Sequence, residues 1–407
     1  MKRFKKLLFF LVLAVSIWIL YGVYETNQKP AAKAILPESE VLQTPTGTAP
    51  PLPSLYGKYT CLVDADTGRV LFGKDETSQV PMASTTKIMT ALLILEKCGL
   101  NKVVTVSKYA ASMPKVHLGA SVGDSFYVKD LLYSMMLESH NDTAVILAEG
   151  LFGSVQNFAA EMNRKAQELH MTQTHFVTPN GLDSDGHYSS ASDMCKLGSY
   201  AIKNKTFLEI IQTKTYQFSS IKNKTQYQVS NKDAFLSYYD GALGIKTGFT
   251  SKAGYCFVGA ARRDETSLVS CTLASGWPPN KNYKWADTKT LMDYGFNTFR
   301  QNNLPLYPMS NIKIPIVEGK KDVVSCRCNS PGAALSAAHE TIKVKYKLPS
   351  SLNAPIRQNV AIGTVSYYIN DKFYKEVEIF PSESIEKSDF SDTIRDVFQT
   401  MTNIFCS

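Results

Sequence analysis

Three short runs in this chain carry side chains that can do chemistry together. Ser84-Thr85-Thr86-Lys87 sets a hydroxyl and an amine three residues apart, about one helical turn, at the head of a segment with helical spacing. A serine hydroxyl is a weak nucleophile until a base takes its proton. A lysine can be that base when burial and a second cation hold it neutral. A helix start also offers backbone N–H groups to a developing oxyanion. Ser139-His140-Asn141 places a second hydroxyl and an amide on alternate residues of a polar break, suited to proton relay and to binding a substrate amide. Lys246-Thr247-Gly248 enters a strand pair. Its lysine offers charge for a carboxylate and for depressing the pKa of Lys87, and Thr247 and Thr250 add hydroxyls. Its glycine lets a substrate backbone come close. Taken singly, each run has a plainer explanation: a capping serine with a solvated lysine, a helix-capping turn, and an edge strand guarded by a lysine.

The elements that must hold these residues can be read from periodicity. Tyr59-Thr60-Cys61-Leu62-Val63 and Arg69-Val70-Leu71-Phe72 flank a turn and predict a hairpin. Ile88, Ala91, Leu92 and Leu95 fall on one face of a helix from Ser84 to Lys97. Helices are expected over 128–136, 142–151 and 158–169, and another to about Ile202 capped by Ser192-Asp193. Asn180-Gly181 marks a turn in a polar loop that also holds His187, read as a loop-ordering residue. Strands follow over 255–261 and 266–273, then a helix over 286–298. Strands at both ends of a helical middle predict an α/β (α+β) unit over 55–305, with an antiparallel sheet closed by first and last segments. Residues 306–383 read as a small all-β domain, with Asn370-Asp371 as a hairpin turn.

The flanks point to export. Lys2, Arg3, Lys5 and Lys6 precede an apolar run from Leu7 to Tyr24, the pattern of a signal peptide or an N-terminal membrane anchor. Residues 25–54 hold six prolines and no apolar period, and read as a linker. Within 384–407, Phe390, Ile394, Val397, Phe398, Met401 and Phe405 form one apolar face. That helix either lies on a membrane or packs on the β domain. The chain has 407 residues, 44% hydrophobic and 20% charged, which excludes a disordered tail and a collagen-like fibre. A single apolar run excludes a polytopic membrane protein. The net charge of +8 does not call for a nucleic-acid partner. Six scattered histidines and eight cysteines without zinc spacing predict no metal site, no cofactor and no dense disulfide framework.

In this order, S-x-x-K, S-x-N and K-T-G are the signature set of penicillin-binding proteins and serine β-lactamases. The local wording narrows the match. Ala83-Ser84-Thr85-Thr86-Lys87-Ile88-Met89-Thr90, Asn141-Asp142-Thr143-Ala144, Asn180-Gly181-Leu182 and Gly244-Ile245-Lys246-Thr247-Gly248-Phe249-Thr250 resemble D-alanyl-D-alanine carboxypeptidases. These are the low-molecular-weight penicillin-binding proteins of peptidase family S11. The resemblance covers about 55–383 and extends to an all-β C-terminal domain and a terminal helix on the outer face of the bacterial cytoplasmic membrane. It implies peptidoglycan stem peptides ending in D-Ala-D-Ala as substrates and β-lactams as covalent inhibitors. It implies Ser84 as nucleophile, Lys87 as its base, and Ser139 with Lys246 as proton relay. Asn141, Lys246, Thr247, Gly248 and Phe249 then bind substrate, the last through its backbone N–H together with that of Ser84. Lys284 stands near the position of a basic residue that contacts the substrate carboxylate. His140 stands where glycine is frequent and Phe249 where histidine is often found.

Two other readings compete. A serine β-lactamase needs fast deacylation, usually from a Glu in an E-x-x-x-N loop, and no convincing match lies between Asn141 and Lys246. A non-catalytic penicillin sensor or wall-binding scaffold is opposed by the intact Ser84, Lys87, Ser139 and Lys246 and by the lack of a sensor-type polytopic region in the sequence.

Overall fold

The computed structural model describes residues 39–46, 48–305 and 309–389, and places Phe10, Leu11, Val15 and Trp18 in helical conformation. The apolar face at 390–405 and most of the N-terminal apolar run lie outside the described residues. Two compact units emerge. Pro50–Arg300 forms one, and the described residues from Gln301 onward join those before Pro50 to form the other.

In the first unit, Tyr59–Asp64 (β1) and Val70–Lys74 (β2) make the expected hairpin. Asp64 closes its turn by accepting from the Thr67 hydroxyl at 2.6 Å and from the Asp66 amide at 3.1 Å. Ala242–Thr250 (β3), Gly254–Arg263 (β4) and Thr266–Leu273 (β5) complete a five-stranded sheet in the order β2-β1-β5-β4-β3. All its pairings are antiparallel, and β1 lies against β5 with Cys61 opposite Cys271. The sheet is thus closed by its first and last segments.

Helices cover both faces. Lys87–Lys97 (α1) buries Ile88 through Ile94 on every side, which makes it the central helix of the unit. Val128–Leu137 (α2), Asn141–Phe152 (α3), Val155–Glu168 (α4), Ala191–Ala201 (α5) and Lys205–Gln212 (α6) pack around it. The Cys195 thiol of α5 points at the Cys61 and Val269 carbonyls of the sheet. Tyr283–Thr298 (α7) takes the other face, where a Cβ on Gly295 would lie 2.5 Å from Leu268. The cap of α5 is Ser190, not Ser192-Asp193. Ser190 is extended and accepts from the Asp193 amide at 3.1 Å, whereas Ser192 is already helical. Closely spaced serines give one local signal, and backbone conformation selects among them.

In the second unit, Ser39–Gln43, Ile342–Lys347, Gly363–Ile369, Lys372–Pro381, Val323–Cys328, Lys313–Val317 and Leu352–Asn353 line up as a seven-stranded sheet in that order. Ile314, Val324, Val344, Val365, Tyr367 and Ile379 form its core. Asn370 and Asp371 both have positive φ, as a two-residue hairpin turn of this twist requires. Two boundaries differ from the sequence reading. The stretch read as linker contains the strand Ser39–Gln43, with Ser39 opposite Lys345 and Val41 opposite Lys343. An edge strand is recruited by backbone hydrogen bonds, which leave no mark on hydrophobic period. The β unit also continues past residue 383: Ile385 is buried and exchanges backbone hydrogen bonds with Ile356 at 2.7 and 3.0 Å.

Among the described residues, no helix is long and apolar enough to cross a membrane.

Candidate active site

Ser84 sits in a tight turn, Ala83–Thr86, that leads into α1. Two threonines fasten this turn. Thr85 Oγ1 donates to Met82 O at 2.6 Å and Thr86 Oγ1 donates to Ala83 O at 2.8 Å. Lys87 is the first residue of α1, and the one-turn offset brings its Nζ to 2.8 Å from Ser84 Oγ. The same nitrogen lies 2.9 Å from Asn141 Oδ1 and 2.6 Å from the Asn180 carbonyl. Lys87 is completely buried, and its pKa falls well below the usual lysine value. Burial is the main cause and the Lys246 charge adds to it, while Asp142 opposes both. A neutral amine has two N–H donors and one lone pair. Asn141 Oδ1 and Asn180 O can take the donors, and the lone pair is left for the Ser84 hydroxyl.

The loop between α2 and α3 carries Ser139 and Asn141. Ser139 is half-buried at φ +69°, a region that costs a non-glycine residue energy and is held by its surroundings. Asn141 opens α3, buried, with Nδ2 donating to Pro114 O at 3.2 Å. His140 points the other way and is buried: Nδ1 is 2.8 Å from Ser134 Oγ, and Nε2 is 3.3 Å from the Glu138 carboxylate. Asp142 binds the Leu118 and Gly119 amides at 2.8 and 2.9 Å. The sequence reading noted His140 only as a departure and did not assign Asp142.

From the sheet edge, β3 brings Lys246, nearly fully buried, its pKa lowered to about 8 by burial against the opposing pull of Asp233. Gly248 is where β3 meets the Ser84 turn. A Cβ there would lie 2.9 Å from Ser84 N and 3.1 Å from both Ala83 Cβ and Met82 O. The close approach that this glycine allows in the structure is that of the nucleophile's own turn. Thr247 is half-buried beside it. Phe249 is 41% exposed and its ring lies 4.6 Å from that of Tyr255. Thr250 Oγ1 donates to Asp183 at 3.0 Å and ties the Asn180 loop to the strand. Lys284, in the first turn of α7, caps the Lys281 carbonyl and lies over the Tyr255 and Trp285 rings at 4.8 and 4.6 Å. Burial, with the neighbouring Lys281, lowers its pKa to about 8.

The Asn180-Gly181 turn, a loop signal and part of the family resemblance in the sequence but with no role assigned to it there, supplies the Asn180 carbonyl to Lys87. Gly181 has φ +82°, and a Cβ would lie 2.0 Å from Ala83 O, so no other residue fits. His187 supports the same corner. Its Nδ1 accepts from Val177 N at 2.9 Å, which leaves Nε2–H to donate to Thr86 Oγ1 at 3.0 Å. Burial lowers its pKa to about 4, so the ring is neutral.

The sequence profile for D-alanyl-D-alanine carboxypeptidase, peptidase S11, matches residues 46–276, more than half the chain. The chain belongs to this family. The profile for the C-terminal domain of penicillin-binding protein 5 matches residues 313–387. The S11 chain is 29% identical over 344 residues to D-alanyl-D-alanine carboxypeptidase DacF of Bacillus subtilis, covering 82% of this chain and 87% of that protein. It is 29% identical over 370 residues to the carboxypeptidase DacA of Escherichia coli, covering 86% and 89%. The crystal structure of penicillin binding protein 5 from Haemophilus influenzae superposes with a TM-score of 0.66 at 25% identity, covering 84% of this chain and all of that one. The first unit therefore has the DD-peptidase and β-lactamase-like fold, and the second is the β-rich C-terminal domain of the S11 chains.

Proposed function

We propose that this chain is a serine-type D-Ala-D-Ala carboxypeptidase that removes the terminal D-alanine from peptidoglycan stem pentapeptides. The observation that carries this reading is the buried Lys87 amine 2.8 Å from Ser84 Oγ. A neutral amine at that distance is a general base in hydrogen-bond reach of a nucleophile. Ser84 attacks the carbonyl of the penultimate D-alanine while its proton passes to Lys87 Nζ. The N–H groups of Ser84 and Phe249 take the oxyanion. The proton on Lys87 passes through the Ser139 hydroxyl, beside Lys246, to the departing amine of D-alanine, which leaves Lys87 neutral again. Water then cleaves the Ser84 ester with Lys87 again as base. Asn141 holds Lys87 through Oδ1, which leaves one Nδ2 hydrogen for a substrate carbonyl. Lys246, Thr247 and, farther out, Lys284 face the terminal carboxylate.

β-Lactams offer the same carbonyl beside the same carboxylate, so they acylate Ser84 and stay. The enzyme works outside the cytoplasm on the outer face of the bacterial cytoplasmic membrane. It is held there by the apolar face at 390–405, by the N-terminal segment if retained, or by both. It is secreted if neither remains.

The test incubates the purified protein with diacetyl-Lys-D-Ala-D-Ala and with a fluorescent penicillin. The expected result is D-alanine release, a long-lived penicillin adduct, and loss of both in Ser84→Ala. Rapid penicillin turnover would mark a β-lactamase instead. A stable adduct without peptide cleavage would mark a sensor.

A further inference from the structure

Asp233 lies on the turn before the short helix Phe235–Tyr238, beside β3, the last strand of the five-stranded sheet. Its Oδ1 accepts from Phe235 N at 3.0 Å. Its own amide donates to Asn231 Oδ1 at 3.0 Å, and Asn231 is fixed in turn by donating to Ile211 O at 2.7 Å and Thr213 O at 3.1 Å. These bonds fix the turn, and Asp233 is 9% exposed with its Oδ2 buried. Its second oxygen, Oδ2, has no hydrogen-bond partner. A buried carboxylate oxygen left in that state needs an explanation.

The geometry supplies one. Oδ2 lies over Gly244, where a Cβ would be 3.5 Å away. Gly244 and Lys246 are two residues apart in an unbroken register, opposite Ala260 and Val258, so both face the same side of β3. No side chain at Gly244 stands between the carboxylate and the Lys246 stem. The charged and titratable groups that interact electrostatically with Asp233 are Lys246 from β3, Lys284 from α7 and Tyr238 from the short helix. Lys232, next in the chain, is turned to Glu138 at 3.3 Å. Lys246 is close enough to Lys87 of α1 for its charge to act there.

We propose that Asp233 is a positioning residue that holds Lys246 in its charged form, so that the two lysines of the site divide the labour: Lys87 neutral, Lys246 cationic. Two amines buried in one site cannot both carry charge without a counter-ion. Asn141 Oδ1 and Asn180 O accept from Lys87 but bring no charge, and the charge of Asp142, held by the Leu118 and Gly119 amides, is outweighed at Lys87 by burial and by Lys246. Asp233 brings a charge, and brings it beside the other lysine. Its effect on Lys246 is upward, against burial; burial likewise raises the Asp233 carboxyl to about 7, with the Phe235 amide and the charges of Lys246 and Lys284 pulling the other way.

The catalytic part of this inference rests on the peptidase reading, and the charge pairing does not. The experiment labels lysine side chains in the full-length protein and follows the Lys246 ammonium by NMR titration, with Lys246→Arg as the assignment control. Asp233→Asn keeps Oδ1 for the Phe235 amide and replaces the second oxygen with a neutral NH2 of the same size. The expected result is a Lys246 midpoint lower by about one pH unit, a tenfold loss of proton affinity. The alkaline limb of the penicillin-acylation rate should move by the same distance, and Asp233→Glu should restore a large part of both. An unchanged Lys246 midpoint in a folded Asp233→Asn protein overturns the proposal. A shifted midpoint in a protein that never reacts with penicillin leaves the pairing standing and removes the peptidase reading instead.

Discussion

Lys87 must be two things that usually exclude each other, fully buried and able to take a proton. Burial solves both at once, because it removes the charge that water would have stabilised and leaves a lone pair beside Ser84. Lys87→Arg puts a permanently charged, larger group in that place. Penicillin acylation should then fall by about 10³-fold, measured as the rate of fluorescent adduct formation, with the fold kept by circular dichroism. A variant that acylated at the original rate would show that another group is the base. His187 makes a different prediction. Its folded pKa of about 4 lies below the unfolded value of 6.5. The unfolded chain therefore binds more protons between those values, and stability drops as pH falls through that window. The loss is of order 3 kcal/mol by pH 4. Urea midpoints at pH 7 and pH 4.5 should show this slope in the wild type and a shallower one in His187→Gln. The S-x-x-K spacing was legible because one helical turn fixes it. The Asn180 carbonyl was not, since every residue offers one, and Asp233 was not, since its partner strand lies outside its local sequence.

The element that carries the nucleophile is a turn pressed between a strand and a loop. A Cβ on Gly181 of the Asn180 loop would lie 2.0 Å from Ala83 O, which no side chain tolerates, and one on Gly248 of β3 would lie 2.9 Å from Ser84 N, which requires a small shift. Gly248→Ala must push the Ser84 amide and β3 apart by several tenths of an ångström. That separation would spread the two N–H groups proposed for the oxyanion. Acylation should drop by about 100-fold while the melting temperature moves by only a few degrees. An equal fall in rate and stability would instead make the glycine purely structural. Hairpins and helices were legible where the apolar period was long, as in α1 and in β4 with β5. The cap of α5 was misread, and α6 was not foreseen, because eight residues hold too little period to stand out.

At the scale of the molecule, the chain is two units with two cores. Ser39–Gln43 belongs to the second although it precedes the first in sequence. Removing residues 1–46 should uncover the Ile342–Lys347 edge and lower the unfolding temperature of the β unit, read by calorimetry. Penicillin acylation should stay within about twofold, because the first unit keeps its own core. A large loss of acylation would mean that the units depend on each other. The net charge is a sum of unlike parts. Lys2, Arg3, Lys5 and Lys6 contribute four of the +8, so residues 7–407 carry 8 − 4 = +4. What the sequence alone determined is the order of the motifs, the element types around them and the division into an α/β unit and a β unit, because these follow from spacing and period within a few residues. Tertiary structure alone decided that the Asn180 carbonyl closes on Lys87, that the Asp233 carboxylate lies over Gly244, and that Ser39–Gln43 joins a sheet far along the chain. Those depend on which backbone and carboxylate groups are brought together and stripped of water, and no local pattern encodes that.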